Sequence, residues 1–76
     1  MKERQGHGAL LRRVARLIAK QPGRTELELT RAIYGRDMLY TRVNVQVRLL
    51  VRAGKVRREG AGYRSDPYRY FPATED

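Results

Sequence analysis

The side chains with the greatest capacity for chemistry lie between Tyr40 and Arg64. From Arg42 to Arg58 the chain carries six basic residues and no acidic one. Arginine presents a planar fork of donors that fits a phosphate or the edge of a guanine, and Asn or Gln can pair with adenine in a similar way. This segment therefore predicts recognition of a nucleic acid rather than the making or breaking of bonds.

Residue types that support catalysis are scarce in the chain. His7 is the one histidine, there is no cysteine, and the eight acidic residues are scattered. No group of carboxylates, thiols or imidazoles has the spacing of a metal or acid–base site, and no glycine-rich phosphate motif is present. We expect a protein that is not an enzyme, with no catalytic residues, no metal and no cofactor.

Net charge indicates the class of partner. Seventeen Lys and Arg residues against eight Asp and Glu give a net charge of +9, which favours a polyanion. With 76 residues, 41% of them apolar, the chain can form one domain with a modest core. No apolar run is long enough for a membrane span or a signal peptide, so we expect no membrane partner and a cytoplasmic protein that joins the nucleoid when bound.

Two helices are predicted in the first half. Apolar residues at helical spacing predict a first helix from Ala9 to Gln21, which Pro22-Gly23 ends. Thr25 and Glu28 have the spacing of a capping box, which predicts a second helix of about nine or ten residues that ends at Gly35.

A third helix and a hairpin follow. An apolar stripe predicts the third helix from about Leu39 to Ala53, and Gly54 ends it. Strands are expected at residues 55–59 and 68–71, joined by a glycine-rich turn. We expect flexible segments at residues 1–8 and 72–76, and one domain at residues 9–71. The predicted core consists of Leu10, Val14, Leu17, Ile18, Leu29, Ile33, Val43, Val47, Leu50 and Val56.

This order of elements resembles the winged helix-turn-helix superfamily of bacterial, archaeal and phage regulators. The resemblance rests on the apolar spacing of the third helix, the small residue and glycine after it, and the charged pair of the first strand: Val43, Val47, Leu50, Ala53-Gly54, Val56 and Arg57-Arg58. The connection at residues 35–40 is longer than the usual tight turn. The fold class expected is mainly α with a small β-hairpin, a three-helix winged helix-turn-helix.

The resemblance implies a small transcriptional regulator. Its third helix would lie in the major groove of duplex DNA, and its basic wing at residues 55–71 on the backbone or in the minor groove. Arginines of the helix would pair with guanine, its amides with adenine, Val45 with a thymine methyl group, and Tyr40 and Thr41 with phosphate. The candidate DNA contacts are Tyr40, Thr41, Arg42, Asn44, Val45, Gln46, Arg48, Arg52, Arg57, Arg58 and Arg64.

Two other functions stay open at this point. Val45 and Leu49 would be apolar residues on the exposed face, as in a protein-docking module or a homodimer. Asn44 and Pro67 allow a binder of left-handed or single-stranded nucleic acid, although such winged helices place an aromatic residue where this chain has Arg48. The aromatic residues at 63, 68, 70 and 71 are expected to cover the core rather than to stack on bases.

Overall fold

In this computed structural model, residues 2–36 and 38–73 are described, with the backbone alone for residues 2–7. Three helices precede two strands. The helices are α1 (Lys2–Lys20), α2 (Glu26–Tyr34) and α3 (Tyr40–Arg52), and the strands are β1 (Val56–Glu59) and β2 (Arg69–Pro72). The molecule is thus a small, mainly helical domain with an antiparallel hairpin, as the sequence predicted, and this layout is consistent with a winged-helix-like arrangement.

The first helix is longer than predicted. α1 begins at Lys2, seven residues before the expected start at Ala9. Residues 2–5 are Lys, Glu, Arg and Gln, which all have high helix propensity, and no proline interrupts the segment. Because the apolar stripe starts only at Leu10, these polar turns left no periodic signal in the sequence.

The ends of α2 follow the predicted local rules. The Thr25 side chain accepts a hydrogen bond from the Glu28 amide (3.2 Å), and the Glu28 carboxylate accepts one from the Thr25 amide (3.0 Å). This capping box satisfies two amide groups that the first turn leaves unpaired. At the other end, the Gly35 amide donates to the Arg31 carbonyl (2.8 Å). The prediction of a short, well-capped second helix is therefore confirmed.

Gly54 turns the chain from α3 into the hairpin. The Lys55 amide donates to the Leu50 carbonyl (2.9 Å), and the Gly54 amide donates to the Val51 carbonyl (3.0 Å). This pair of bonds defines a Schellman motif, which requires a left-handed residue. Gly54 has φ of 76°, which a residue with a Cβ adopts only with strain. Because the chain reverses sharply here, Val56 packs into the core.

The hairpin is anchored to the start of α2. β1 and β2 pair antiparallel with Val56 opposite Pro72 and Glu59 opposite Arg69. On the other side of β2, Tyr70 forms a bridge with Arg24. Its amide donates to the Arg24 carbonyl (3.0 Å), and its carbonyl accepts from the Gly23 amide (2.8 Å). The sequence did not predict this third, one-residue strand, which ties the hairpin to the helices.

The end of the domain also differs from the prediction. Pro72 was assigned to a tail, yet it is the last residue of β2, and the Ala73 amide donates to the Lys55 carbonyl (3.2 Å). A proline is compatible with this position because it ends the strand. Residues 74–76, the rest of the predicted tail, lie outside the described residues.

One apolar core joins all five elements. Seven predicted core residues are buried, and Leu10, Leu17 and Ile33 are partly buried at its margin. Tyr70 is fully buried as well, so the expectation that aromatic residues cover the core holds for this strand residue. Tyr68 packs at the core's edge, whereas Tyr63 is exposed, so the same expectation is wrong for Tyr63. The buried set is Val14, Ile18, Leu29, Val43, Val47, Leu50, Val56 and Tyr70.

Candidate nucleic-acid interface

The outward face of α3 carries a row of exposed residues. Val43, Val47 and Leu50 face the core, so residues half a turn away point to solvent at 100° per residue. That exposed row is Thr41, Val45, Arg48 and Arg52, and Arg42 and Leu49 flank it. The row contains no acidic residue, and its spacing of four, three and four residues keeps its members on one side of the helix. Five predicted contact residues therefore share this surface: Thr41, Arg42, Val45, Arg48 and Arg52.

Two predicted contact residues of α3 lie elsewhere. Gln46 is only 6% exposed and belongs to the buried side of the helix. Asn44 lies at the edge of α3, partly buried, and its amide nitrogen donates to both carboxylate oxygens of Glu26 (2.9 Å each). The structure therefore does not bring these two amides, predicted to contact adenine, onto the exposed row. A helical projection already places Gln46 beside the core stripe, whereas the bond from Asn44 to Glu26 spans 18 residues and leaves no local signal.

Glu26 connects three elements through one carboxylate. It lies at the start of α2, accepts from Asn44 of α3, and accepts a 2.7 Å hydrogen bond from the hydroxyl of Tyr70 in β2. Burial of the Tyr70 side chain, together with its hydrogen bond to this carboxylate, raises the pKa of the phenol well above its ordinary value, and Arg58 partly opposes the shift. The network fixes α3 relative to the hairpin, and sequence reasoning missed it.

Arginines of β1 rest on aromatic rings of the hairpin. The Arg57 guanidinium lies 4.6 Å from the centre of the Phe71 ring and forms an ion pair with Glu59. The Arg58 guanidinium lies 4.1 Å from the centre of the Tyr68 ring. A guanidinium stacked on a ring keeps the donors at its edge available to an anion. Both residues are exposed, and Arg58 does not share the ion pair to Glu59.

The loop between the strands, residues 60–68, is held by its own hydrogen bonds. The Asp66 amide donates to the Tyr63 carbonyl (3.0 Å), and the Asp66 carboxylate accepts from the Ala61 amide (3.0 Å). At Gly62 a Cβ would come within 2.7 Å of the Tyr68 ring, so the close packing of this ring requires glycine. The loop thus presents Tyr63 and Arg64, both exposed, from a defined turn.

A groove of about 370 Å³ separates the start of α3 from this loop. The start of α2 forms its third side. Tyr40 reaches it from α3, Leu27 from α2, and Tyr63 from the loop, where Tyr63 is 69% exposed. Its lining also includes Thr25, Glu26, Gly62, Arg64, Pro67 and Tyr68. The groove shows that the first turn of α3 and the hairpin loop face the same space, which brings Tyr40 and Arg64 of the predicted set together.

Metal-binding groups and membrane-spanning helices were the other features sought in the described ranges. Among residues 2–36 and 38–73, no group of three or more His, Cys, Asp and Glu residues has an arrangement that could hold a metal ion. Over the same residues, none of the helices combines the length and apolarity that a membrane crossing requires. Comparison with protein-family models, with curated proteins and with solved structures finds no match to this chain.

Proposed function

We propose that this domain binds duplex DNA in the manner of a winged helix-turn-helix protein, with the outward face of α3 in the major groove. The observation that carries the proposal is the exposed, acid-free row on α3, whose helix shares a groove at its first turn with the loop of the basic hairpin. An α-helix with such a face fits the major groove, where each base pair presents a distinct pattern of donors and acceptors. More specifically, we propose that the protein is a small transcriptional regulator.

Each part of the surface has a separate task in this proposal. Arg48 and Arg52 stand on the outward row of α3 and supply forked donors to guanine, and Val45, one turn before Arg48, contacts a thymine methyl group. Thr41, one turn before Val45, donates to phosphate. In the hairpin, Arg58 and Arg64 contact the phosphate backbone, which holds the domain on any sequence.

The net charge supports a polyanionic partner over a neutral one. The chain carries +9, and three acidic groups near the proposed surface are engaged within the fold: Glu26 by Asn44 and Tyr70, Glu59 by Arg57, and Asp66 by the Ala61 amide. The positive groups of α3 and the hairpin therefore dominate the local field, which attracts DNA at a distance and strengthens its binding on contact.

A protein-docking function is the second candidate, and a specific observation favours it. Val45 is 51% exposed and Leu49 is 47% exposed on α3, where they form an apolar pair one turn apart. A partner helix or a second copy of the chain could cover them. This function predicts binding that depends on apolar contact and changes little with salt.

Titration at several salt concentrations tests the proposal against this alternative. The probes are a random-sequence duplex, a single strand of the same length, and an acidic protein. We expect affinity for the duplex to fall steeply, by a log–log slope of several units, between about 50 and 200 mM salt. Absence of duplex binding, together with self-association that Leu49→Ala abolishes, would refute the proposal and show that the apolar pair forms a protein interface.

A further inference from the structure

The groove between α3, α2 and the hairpin loop is lined by large apolar side chains that have no role in the proposed binding of duplex DNA. Three of the domain's exposed large apolar side chains line it, namely Leu27, Tyr40 and Tyr63. A duplex offers only phosphates and stacked, paired bases at its surface, and it cannot place a flat apolar face between two tyrosines. The volume of about 370 Å³ lies within the range of about 300 to 1,000 Å³ that is usual for small-molecule sites.

We propose that this groove binds one unpaired nucleobase of a strand that leaves the duplex, so that the domain recognises a junction between double-stranded and single-stranded DNA. The inference rests on the proposed duplex binding and names the form of DNA that the same surface takes. A nucleotide joins a flat, apolar ring to an anionic phosphate. The groove offers a partner for each part: Tyr40 and Tyr63 on its walls for the ring, and Arg64 in its lining for the phosphate.

The rigidity of the loop supports stacking on Tyr63. The turn from Tyr63 to Asp66 is closed by backbone hydrogen bonds in both directions: Tyr63 donates to the Asp66 carbonyl (3.2 Å), and Asp66 donates to the Tyr63 carbonyl (3.0 Å). Because the backbone that carries the Tyr63 ring is already held in this way, stacking of a base does not have to order the loop. Gly60 and Gly62 keep the loop close to residues 67 and 68, because a side chain at either position would collide with them.

Charge favours a nucleotide over an apolar peptide as the occupant. Tyr68, in the lining, carries the Arg58 guanidinium against its ring, and Arg64 is exposed. Glu26 is the acidic residue of the lining, and its carboxylate already accepts hydrogen bonds from Asn44 and the Tyr70 hydroxyl. A phosphate therefore approaches from the Arg64 side, and the base enters between the tyrosines.

The position of the groove fits a junction. Tyr40 is the first residue of α3, so the protein groove lies at the N-terminal end of this helix, which is proposed to enter the major groove of the DNA. The hairpin loop, which is proposed to contact the backbone, forms the opposite wall. A strand that separates from its partner next to α3 would reach the groove while the paired part stays on the helix.

The test compares three DNA probes: a short blunt duplex, the same duplex with a single-stranded extension, and the extension alone. 2-Aminopurine at the first unpaired position reports stacking through its fluorescence. The proteins are the full chain and the variants Tyr63→Ala, Tyr63→Phe and Met38→Ala. Met38, which is exposed and lies outside the groove lining, is the control for loss of an apolar side chain. Circular dichroism checks that each variant is folded.

We expect the full chain to bind the extended duplex about tenfold tighter than the blunt one, as stacking of one base on an aromatic ring allows. Tyr63→Ala should remove this preference and the fluorescence change while leaving blunt-duplex affinity within about twofold. Tyr63→Phe and Met38→Ala should keep both, because Phe retains a ring for stacking.

Other results would overturn one proposal or both. Equal affinity for blunt and extended duplexes would refute the junction site and leave duplex binding intact. Binding of the extension alone, lost in Tyr63→Ala, with no affinity for the blunt duplex, would support the groove and refute the proposed function. Binding of no DNA probe, with tyrosine fluorescence that responds to a proline-rich peptide, would assign the groove to a protein partner and refute both.

Discussion

At the scale of single residues, Glu26 holds the arrangement of α2, α3 and β2. Its carboxylate is the shared acceptor of Asn44 and Tyr70, which lie 18 and 44 residues away. A partly buried carboxylate with these donors is stabilised, and either donor without it would lose a charged partner. Asn44 therefore belongs to the support of the proposed interface rather than to its contact surface.

The substitution Asn44→Ala tests this role. Loss of hydrogen bonds to a charged, partly buried group should lower the free energy of unfolding by about 1 to 2 kcal/mol. The ratio of affinities for a preferred and a scrambled duplex should stay the same. Thr41→Ala, at an exposed position of the same helix, is the control and should leave stability unchanged. A large loss of DNA specificity in a fully stable Asn44→Ala protein would contradict the structural role.

Tyr70 is expected to make the stability of the fold decrease at alkaline pH. Burial and the hydrogen bond to Glu26 raise the pKa of its phenol in the folded state above the ordinary value of about 10. The folded state then holds the proton more tightly than the unfolded state. This stabilisation is complete below about pH 10 and is lost progressively as the pH rises toward the raised pKa.

Denaturant unfolding at increasing pH measures the effect. The full chain should lose stability as the pH rises above about 10, and Tyr70→Phe, which has no phenol to ionise at this position, should lose less over the same interval. The variant should be less stable at neutral pH, because the Glu26 carboxylate loses a donor. Parallel pH profiles for the two proteins would show that Tyr70 does not titrate with folding.

At the scale of elements, α3 depends on packing. Val43, Val45, Val47 and Val51 are β-branched and lower the intrinsic stability of a helix. Val47 is fully buried, so Val47→Asp should unfold the domain, since an unpaired charge in the core costs several kcal/mol against a total stability of about 5. Val45→Asp makes the same chemical change on the exposed face, and a thermal melt should show a folded protein. Equal effects of the two changes would refute the assigned register of α3.

The elements that the sequence predicted are those with local signals. The capping box at Thr25, the glycine after α3 and the apolar stripes are each encoded within a few residues. The polar start of α1 and the Arg24 bridge have no such pattern.

The candidate site likewise contains features that local sequence encodes and features that it does not. The exposed row of α3 follows from helical periodicity, whereas the Glu26 network and the groove depend on residues brought together by the fold.

At the scale of the whole molecule, the net charge of +9 is expected to govern affinity more than specificity. Each contact between a cationic side chain and a phosphate contributes about 0.9 to the log–log salt slope. Arg64→Ala should therefore lower this slope by about one and weaken binding to all duplexes alike. Arg13→Ala removes the same charge from the exposed side of α1 and should change the slope less. Equal slopes for the two variants would exclude a specific phosphate contact by the loop.

The outward face of α3 is proposed to read the DNA sequence, and Arg48 is the residue on which this role is tested most directly. Arg48 is exposed in the middle of the acid-free row. The measurement is the affinity of the full chain and of Arg48→Ala for a duplex site selected from a random pool and for its scrambled version. Arg13→Ala is the control for charge.

We expect Arg48→Ala to cost about 1 to 3 kcal/mol of binding free energy on the selected site and much less on the scrambled one. The ratio of the two affinities should therefore fall, while Arg13→Ala should leave it unchanged. An unchanged ratio in a folded Arg48→Ala protein would show that α3 is not the element that reads the sequence.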